Sequence, residues 1–320
     1  MMKELEISII IPTYNNKVVL EETLKRIFDQ DFNKERYEVI LVDDGSFDET
    51  SGFLARLKPS LRFKYISHPK NLGRAKARNS GIKKAQGRII VMVDDDVWVG
   101  REFIGAHYRA HISTNENIVV VGASPSAVNI PINFWNRYLC GRYSNILKRM
   151  KETADDLSYG FFRTGNVSMK KEVIDKVGLF DEGFTVYGGE DTDYGYRIKQ
   201  EDFRLVHQNI IGQHFFDASF SSVLDKAYQK GISACFFVKK HPELYKDMQF
   251  HSVFHKDGQC GKNIIKKVMY FNGTILLNKC LVLLLSKFRS AEKLSVYLLG
   301  LLEWQYYAKT VKEYGKSIWA

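Results

Sequence analysis

Three short apolar runs in the first hundred residues stop abruptly at polar clusters, and this constrains the fold more than any other feature of the chain. Residues 7–11 run into Pro12-Thr13-Tyr14-Asn15, residues 38–42 into Asp43-Asp44-Gly45-Ser46, and residues 88–93 into Asp94-Asp95-Asp96. Runs of this length, rich in Ile and Val and without polar alternation, read as strands buried on both faces. Between them lie helical patterns at residues 18–30, 49–57 and 75–85, the first with Val19, Leu20, Leu24 and Ile27 on one face, and a short strand pattern at 63–67. Such alternation predicts an α/β fold whose central sheet is mostly parallel and flanked by helices. Ligands of open α/β sheets bind beyond the carboxyl ends of the strands, where these polar clusters fall.

The rest of the chain is organised differently. Across residues 123–158 the alternation is lost, and Phe134, Trp135, Arg137, Tyr138, Arg142 and Tyr143 accumulate, as in an insertion beside the crevice. A strand pattern returns at 164–169 and a helical one at 194–200. After His214 the pattern is helical, at 221–240, 263–286 and 291–314. We therefore expect a catalytic domain over residues 1–218, with an acceptor-side insertion at about 123–158, and a C-terminal helical region over 219–320.

With 45% hydrophobic and 13% aromatic residues in 320, the chain has material for a large core, which excludes wholesale disorder and collagen-like or rod-like folds. The net charge of +10 attracts polyanions, and nucleic acid, anionic lipid and diphosphate-bearing substrates all qualify. Cys140, Cys235, Cys260 and Cys280 lie far apart, which suits neither a zinc knuckle nor a disulfide framework and fits reduced thiols in a cytosol. The first six residues hold two acids and no apolar stretch of signal-peptide length. A cytoplasmic location follows as the expectation.

In residues 268–286, Asn272, Lys279 and Ser286 recur every seven positions and leave a broad apolar surface elsewhere. A lysine in mid-segment argues against a membrane span. Two arrangements suit the pattern: a hairpin packed on the catalytic domain, or an interfacial helix with Lys262, Lys266, Lys267, Lys287 and Arg289 reaching anionic head groups. The positive balance favours the second, a peripheral position on the inner face of the plasma membrane.

Several clusters could carry chemistry. Adjacent carboxylates repel, so Asp94-Asp95-Asp96 is either a solvated loop or a site for a hard divalent cation such as Mg²⁺ or Mn²⁺, and its place at a strand end favours the cation. Asp43-Asp44-Gly45-Ser46 is a turn by itself, but a second acidic cluster facing the same crevice when paired with the first. The segment Asn71–Asn79 opens a basic helix whose free N–H groups, with Lys76 and Arg78, could hold a diphosphate. Glu190-Asp191-Thr192-Asp193 is a good helix start, and a carboxylate there could take a proton from an attacking hydroxyl. His214, ahead of Phe215-Phe216, is a packed histidine or a ligand.

Taken in order, these pieces resemble the family 2 inverting glycosyltransferases of GT-A fold. The resemblance rests on Ser8–Asn15, Val42–Ser46, Asn71-x-Gly73, Ala77-Arg78-Asn79-x-Gly81, Gly87 leading to Asp94-Asp95-Asp96, Thr164-Gly165-Asn166, residues 178–182, Glu190-Asp191-x-Asp193 and His214, about two-thirds of the chain. It implies a nucleotide-sugar donor, with a UDP-sugar favoured, and a glycan or lipid-linked saccharide as acceptor, as in cell-surface polysaccharide synthesis. It also implies roles. Pro12 and Tyr14 would flank the base, and Asp44 would bond a pyrimidine nitrogen. Asn71 and Arg78 would line the nucleotide pocket, and Asp94 and Asp95 would meet the ribose and donor sugar. Gly165, Asn166 and Glu190 would complete the substrate site. Asp96 would bind the divalent cation with His214 as a second ligand or phosphate contact, and Asp191 would be the general base. The family pattern often places another acid or histidine beside His214, where this chain has Gln213 and Phe215.

Two rival readings need other residues. A nucleotidyltransferase that makes nucleotide sugars wants a glycine-rich basic loop after the first strand, where Pro12-Thr13-Tyr14-Asn15-Asn16 stands. A non-catalytic binding module would be expected to have lost Asp96 or Asp191. Nucleic acid is not expected as a partner, because acidic clusters would line the groove.

Overall fold

The computed structural model describes residues 5–246 and 272–319, so Cys260, Lys262, Lys266, Lys267 and the first part of the expected helix 263–286 lie outside the described residues. The chain divides into two units, one of residues 1–130, 140–185 and 190–216, the other of residues 131–139, 186–189 and 217–320.

The first unit is built on an eight-stranded sheet. Strands β1 (Ile7–Thr13), β2 (Tyr37–Asp43), β3 (Arg62–Ser67), β4 (Ile89–Val93), β5 (Val97–Val99), β6 (Val119–Ala123), β7 (Asn166–Lys170) and β8 (Leu205–His214) lie in the order β3-β2-β1-β4-β7-β6-β8-β5. The half from β3 to β4 is parallel, with Ile7 opposite both Tyr37 and Ile89. Strand β7 then runs antiparallel between β4 and β6, and β5 antiparallel to β8. All strands but β5 and β7 thus run the same way, so the sheet is mostly parallel as expected, with its two antiparallel strands in the second half of the order.

Strands β2 and β4 are buried along their whole length and β1 nearly so, whereas β3, at the edge, keeps Arg62 and Ser67 exposed. That is why the first three runs lack polar alternation: helices cover both faces. Helices α1 (Lys17–Phe28), α2 (Thr50–Ala55) and α3 (Arg74–Lys84) connect the parallel strands, α4 (Phe103–Ile112) follows β5, and α6 (Lys171–Val177) and α7 (Glu190–Gln200) follow β7. The region expected to be irregular contains a 19-residue helix, α5 (Phe134–Glu152). Helix α7 begins at Glu190 rather than near 194, and this puts Glu190, Asp191 and Asp193 in its first turn.

Under β7 the core holds a buried polar chain. His111 Nε2 meets Ser168 Oγ at 2.8 Å, Ser168 Oγ meets His107 Nδ1 at 2.8 Å, and His107 Nε2 meets Asn166 Oδ1 at 3.0 Å. The Asn166 amide donates to the carbonyls of Ala123 and Ile210. Burial pushes His107 down to about 3 and His111 to about 4, so both are neutral and each ring can donate from one nitrogen only.

In the second unit, helix α8 (Phe220–Lys240) carries a Ser219–Ser222 capping box and approaches α10 (Glu292–Trp319) closely at Gly231, where a Cβ would stand 2.7 Å from Thr310 Cβ. Helix α9 (Asn272–Leu285) buries Ile275 and Val282 with Phe134, Val223, Leu224, Leu299 and Leu302. None of the described helices is long and apolar enough to cross a membrane.

Candidate active site

The register Thr13↔Asp43 and Ile10↔Met92 sets the ends of β1, β2 and β4 side by side. Beyond them the acids diverge in role. Asp43 accepts from Ser46 N, Ser51 Oγ and Tyr65 Oη, so it closes the turn after β2. Asp44 is buried, with one oxygen meeting His68 Nδ1 at 2.7 Å and Leu72 N at 3.0 Å and the other accepting from Gly73 N at 2.8 Å. Gly45 between these segments has φ +77°, and a Cβ there would lie 2.3 Å from the carbonyl carbon of Lys70. Only glycine permits this approach.

Two sequence expectations are revised here. The start of α3 is expected to offer N–H groups to a diphosphate; the Asp44 carboxylate engages the amides of Leu72 and Gly73, which lie just ahead of the helix and not in its first turn. Lys76 is paired with Glu182 at 2.7 Å, and Arg78 is buried rather than lining a pocket. Asn166 does not join the site either, because its side chain is spent in the core on His107, Ala123 and Ile210.

Asp94, Asp95 and Asp96 face three directions. Asp94 Oδ1 accepts from Arg78 Nη2 at 3.1 Å, and Gly165 leaves room for its other oxygen, which a Cβ would meet at 3.1 Å. Asp95 accepts from the Thr13 hydroxyl at 2.6 Å; burial, then the neighbouring Asp96 charge, pushes it up to about 7. Asp96 Oδ2 stands 3.2 Å from His214 Nε2, because the antiparallel register Val97↔His214 carries the residues before and beside it together.

Asp191 is held by Thr164, whose hydroxyl donates at 3.0 Å and whose backbone N–H donates at 3.3 Å. Burial and the adjacent Glu190 charge push Asp191 up to about 6, against the pull of Arg78 and the Thr164 backbone. Arg78 itself bonds Asp94 and Glu190 at 3.1 Å each and stands 3.8 Å from Asp191. Acids from a strand end and a helix start thus share one guanidinium.

At the rim, Tyr14 packs edge-on against the exposed Phe47 at 6.0 Å; Asn71 is exposed, and its Oδ1 accepts from Gly73 N. Pro12 is half-buried at the end of β1. Tyr143 packs edge-on against the His214 ring at 5.0 Å. His68 and Phe47 are contributors that the sequence analysis does not name, whereas Thr13 and Thr164 lie inside its motifs and Tyr143 in the insertion, without an assigned role.

A divalent cation fits the donor set. Asp96, just before β5, and His214, at the end of the adjacent β8, offer a carboxylate oxygen and an imidazole nitrogen, and a cation there would offset the Asp96 charge that, after burial, raises Asp95. Among the described residues no three or more acidic, histidine or cysteine side chains form a complete metal cage. Two protein ligands completed by substrate phosphates is the arrangement hard cations commonly adopt.

Comparison with known proteins follows the same lines. The model for glycosyl transferase family 2 matches residues 8–178, and one described as the N-terminal domain of galactosyltransferase matches residues 146–215. Chondroitin synthase of Escherichia coli is 27% identical over 271 residues, covering 75% of this chain and 39% of that protein. The chain spans less than two thirds of the length of the curated relatives it matches. Among solved structures, the mannosyltransferase PcManGT from Pyrobaculum calidifontis in complex with GDP-Man and Mn²⁺ aligns with a TM-score of 0.63 at 16% identity, covering 98% of this chain and 88% of that one. TarS 1–349 of S. aureus in complex with UDP-GlcNAc aligns at 0.52 and 17%, covering 98% and 92%. These likenesses show the GT-A fold.

Proposed function

The chain belongs to glycosyl transferase family 2 and is a glycosyltransferase, and from that premise we propose that it transfers a sugar with inversion, from a nucleotide-sugar donor to a hydroxyl of a glycan or lipid-linked saccharide. The observation that carries this reading is the convergence of Asp94, Arg78, Glu190 and Asp191 beside the Asp96–His214 pair. A UDP-sugar is the favoured donor, supported by the UDP-GlcNAc complex of TarS, and cell-surface polysaccharide is the favoured product, supported by the likeness to chondroitin synthase.

Asp191 accepts the proton of the attacking hydroxyl. The Thr164 hydroxyl and amide fix its orientation, and its raised affinity for a proton suits a base working near neutrality. Asp94 and Asp95 meet the ribose and donor sugar, and Tyr14, with Pro12 behind it and Phe47 across from it, offers an aromatic edge to the base. Mn²⁺ or Mg²⁺, held by Asp96 and His214, would neutralise the charge that develops on the departing diphosphate. Asp44 supports the nucleotide side by holding the loop that contains Asn71.

We also place the protein peripherally on the cytoplasmic face of a membrane. Asn278 bonds Gln305 and Lys279 lies over the Tyr306 ring, so the polar residues of α9 point into the second unit. Leu276, Leu277, Leu283 and Leu284 point outward, and Lys287 and Lys293 are exposed near them. An outward apolar row beside cations suits an anionic lipid surface. Cys140, Cys235 and Cys280 are free thiols, which supports the reducing side.

The test is Asp191→Asn. Thermal shifts with UDP, GDP, UDP-GlcNAc, UDP-glucose and GDP-mannose, with and without Mn²⁺, should show binding close to wild type, since nucleotide contacts are untouched. Transfer should fall by about 10²–10⁴-fold, the usual worth of a positioned base. Wild-type turnover in the variant would remove Asp191 from this role.

A further inference from the structure

Arg78 sits in the basic opening of α3, yet its side chain is only 2% exposed. Its two terminal nitrogens face opposite directions in the fold. Nη2 donates to Asp94 at the end of β4, and Nη1 donates to Glu190 at the start of α7 and stands 3.8 Å from Asp191. The next residue anchors the helix independently: Asn79 donates to Phe180 O and accepts from Phe180 N, both at 2.9 Å, and its amide also bonds Glu182. The Arg78 guanidinium lies 5.9 Å over the Phe180 ring. Contacts of α3 and the 178–182 loop thus set its position within the protein.

We propose that Arg78 is a positioning residue for glycosyl transfer, a buried bracket that holds the base-bearing start of α7 at a fixed distance from the acidic end of β4 without touching the donor. The proposal rests on Asp191 being the general base. A planar guanidinium can bond two carboxylates at once on separate nitrogens, which a lysine ammonium on one flexible stem cannot do in the same geometry. Three carboxylates face this one cation: Asp94 from the end of β4, with Glu190 and Asp191 from α7. For Arg78, burial opposes the charge, but Asp191, Asp94 and Glu190 outweigh it and push its proton affinity further up. Arg78 in turn favours the ionised form of Asp191.

Two substitutions separate the effects of distance and charge. Arg78→Lys keeps the charge but loses the bracket, and Arg78→Gln loses both. Turnover is followed as UDP or GDP release from UDP-GlcNAc, UDP-glucose or GDP-mannose with Mn²⁺, and UDP and GDP binding by thermal shift. For Arg78→Lys, kcat should fall about 10–100-fold, as ångström-scale misplacement of a catalytic group does, with donor KM and nucleotide binding within about twofold of wild type. For Arg78→Gln, the acid limb of the kcat profile should also rise by about one pH unit, because Asp191 loses its cation. Should either protein be insoluble, Glu190→Gln removes one anchor instead: kcat should fall with nucleotide binding near wild type, and the acid limb should move down because a like charge beside Asp191 is lost. Donor KM raised tenfold or more with kcat near wild type would overturn the proposal, because Arg78 would then bind the donor directly. Asp191→Asn in the same assay keeps the premise separate: its undiminished turnover would sink the base assignment, whatever Arg78 does.

Discussion

At Asp191, burial and the Glu190 charge raise the pKa to about 6 while Arg78 and the Thr164 amide pull it back. A base must be ionised to work, so the rate should fall as pH drops through about 6, approaching tenfold per unit below it. A pH profile of kcat checks this, and an acid limb near 4, the ordinary carboxylate range, would show that the burial seen here does not govern the group. Single residues were legible in the sequence by type but not by partner. Asp44 was read as facing a base, and the fold instead engages its carboxylate with His68, Leu72 and Gly73. Arg78 is named from the sequence as a cation, and the fold buries it between Asp94 and Glu190. Chain-local chemistry identifies a charge; what it pairs with, here 112 residues away at Glu190, is decided by packing.

Elements follow the same division. The runs at 7–11, 38–42 and 88–93 are β1, β2 and β4 to within two residues at either end, since strands buried on both faces leave an unmixed apolar signature. The strand pattern at 164–169 is β7, despite the buried polar Asn166 and Ser168, whereas helix α5 lies in the stretch where strand–helix alternation lapses and is not predicted. The turn after β2 depends on Gly45. Gly45→Ala should destabilise by on the order of 2–4 kcal/mol, combining a left-handed backbone with a clash against Lys70 and Asn71. Gly100→Ala is the control, because nothing lies within 4 Å of its Cβ position. Urea midpoints for the two variants check the claim, and equal shifts would refute it.

For the whole molecule, +10 says only that some anion is a partner. The outward leucines on α9 and the exposed Phe288, Leu294 and Tyr297 form the apolar surface on which the proposed lipid contact is tested. The full chain should float with vesicles containing phosphatidylserine, and do so less as salt rises, while the double variant Leu283→Glu, Leu284→Glu should stay in the soluble fraction with nucleotide binding unchanged. Flotation that persists in the variant would rule out this face as the contact.

From sequence alone, apolar periodicity determined the α/β class and the ordered motifs carried the resemblance to the family, because both are local properties of the chain. Only tertiary structure decided which acids meet, that β7 enters the sheet antiparallel, and that Asn166 belongs to the core. Such outcomes depend on contacts between residues tens of positions apart, whose free energies arise only when the whole core closes.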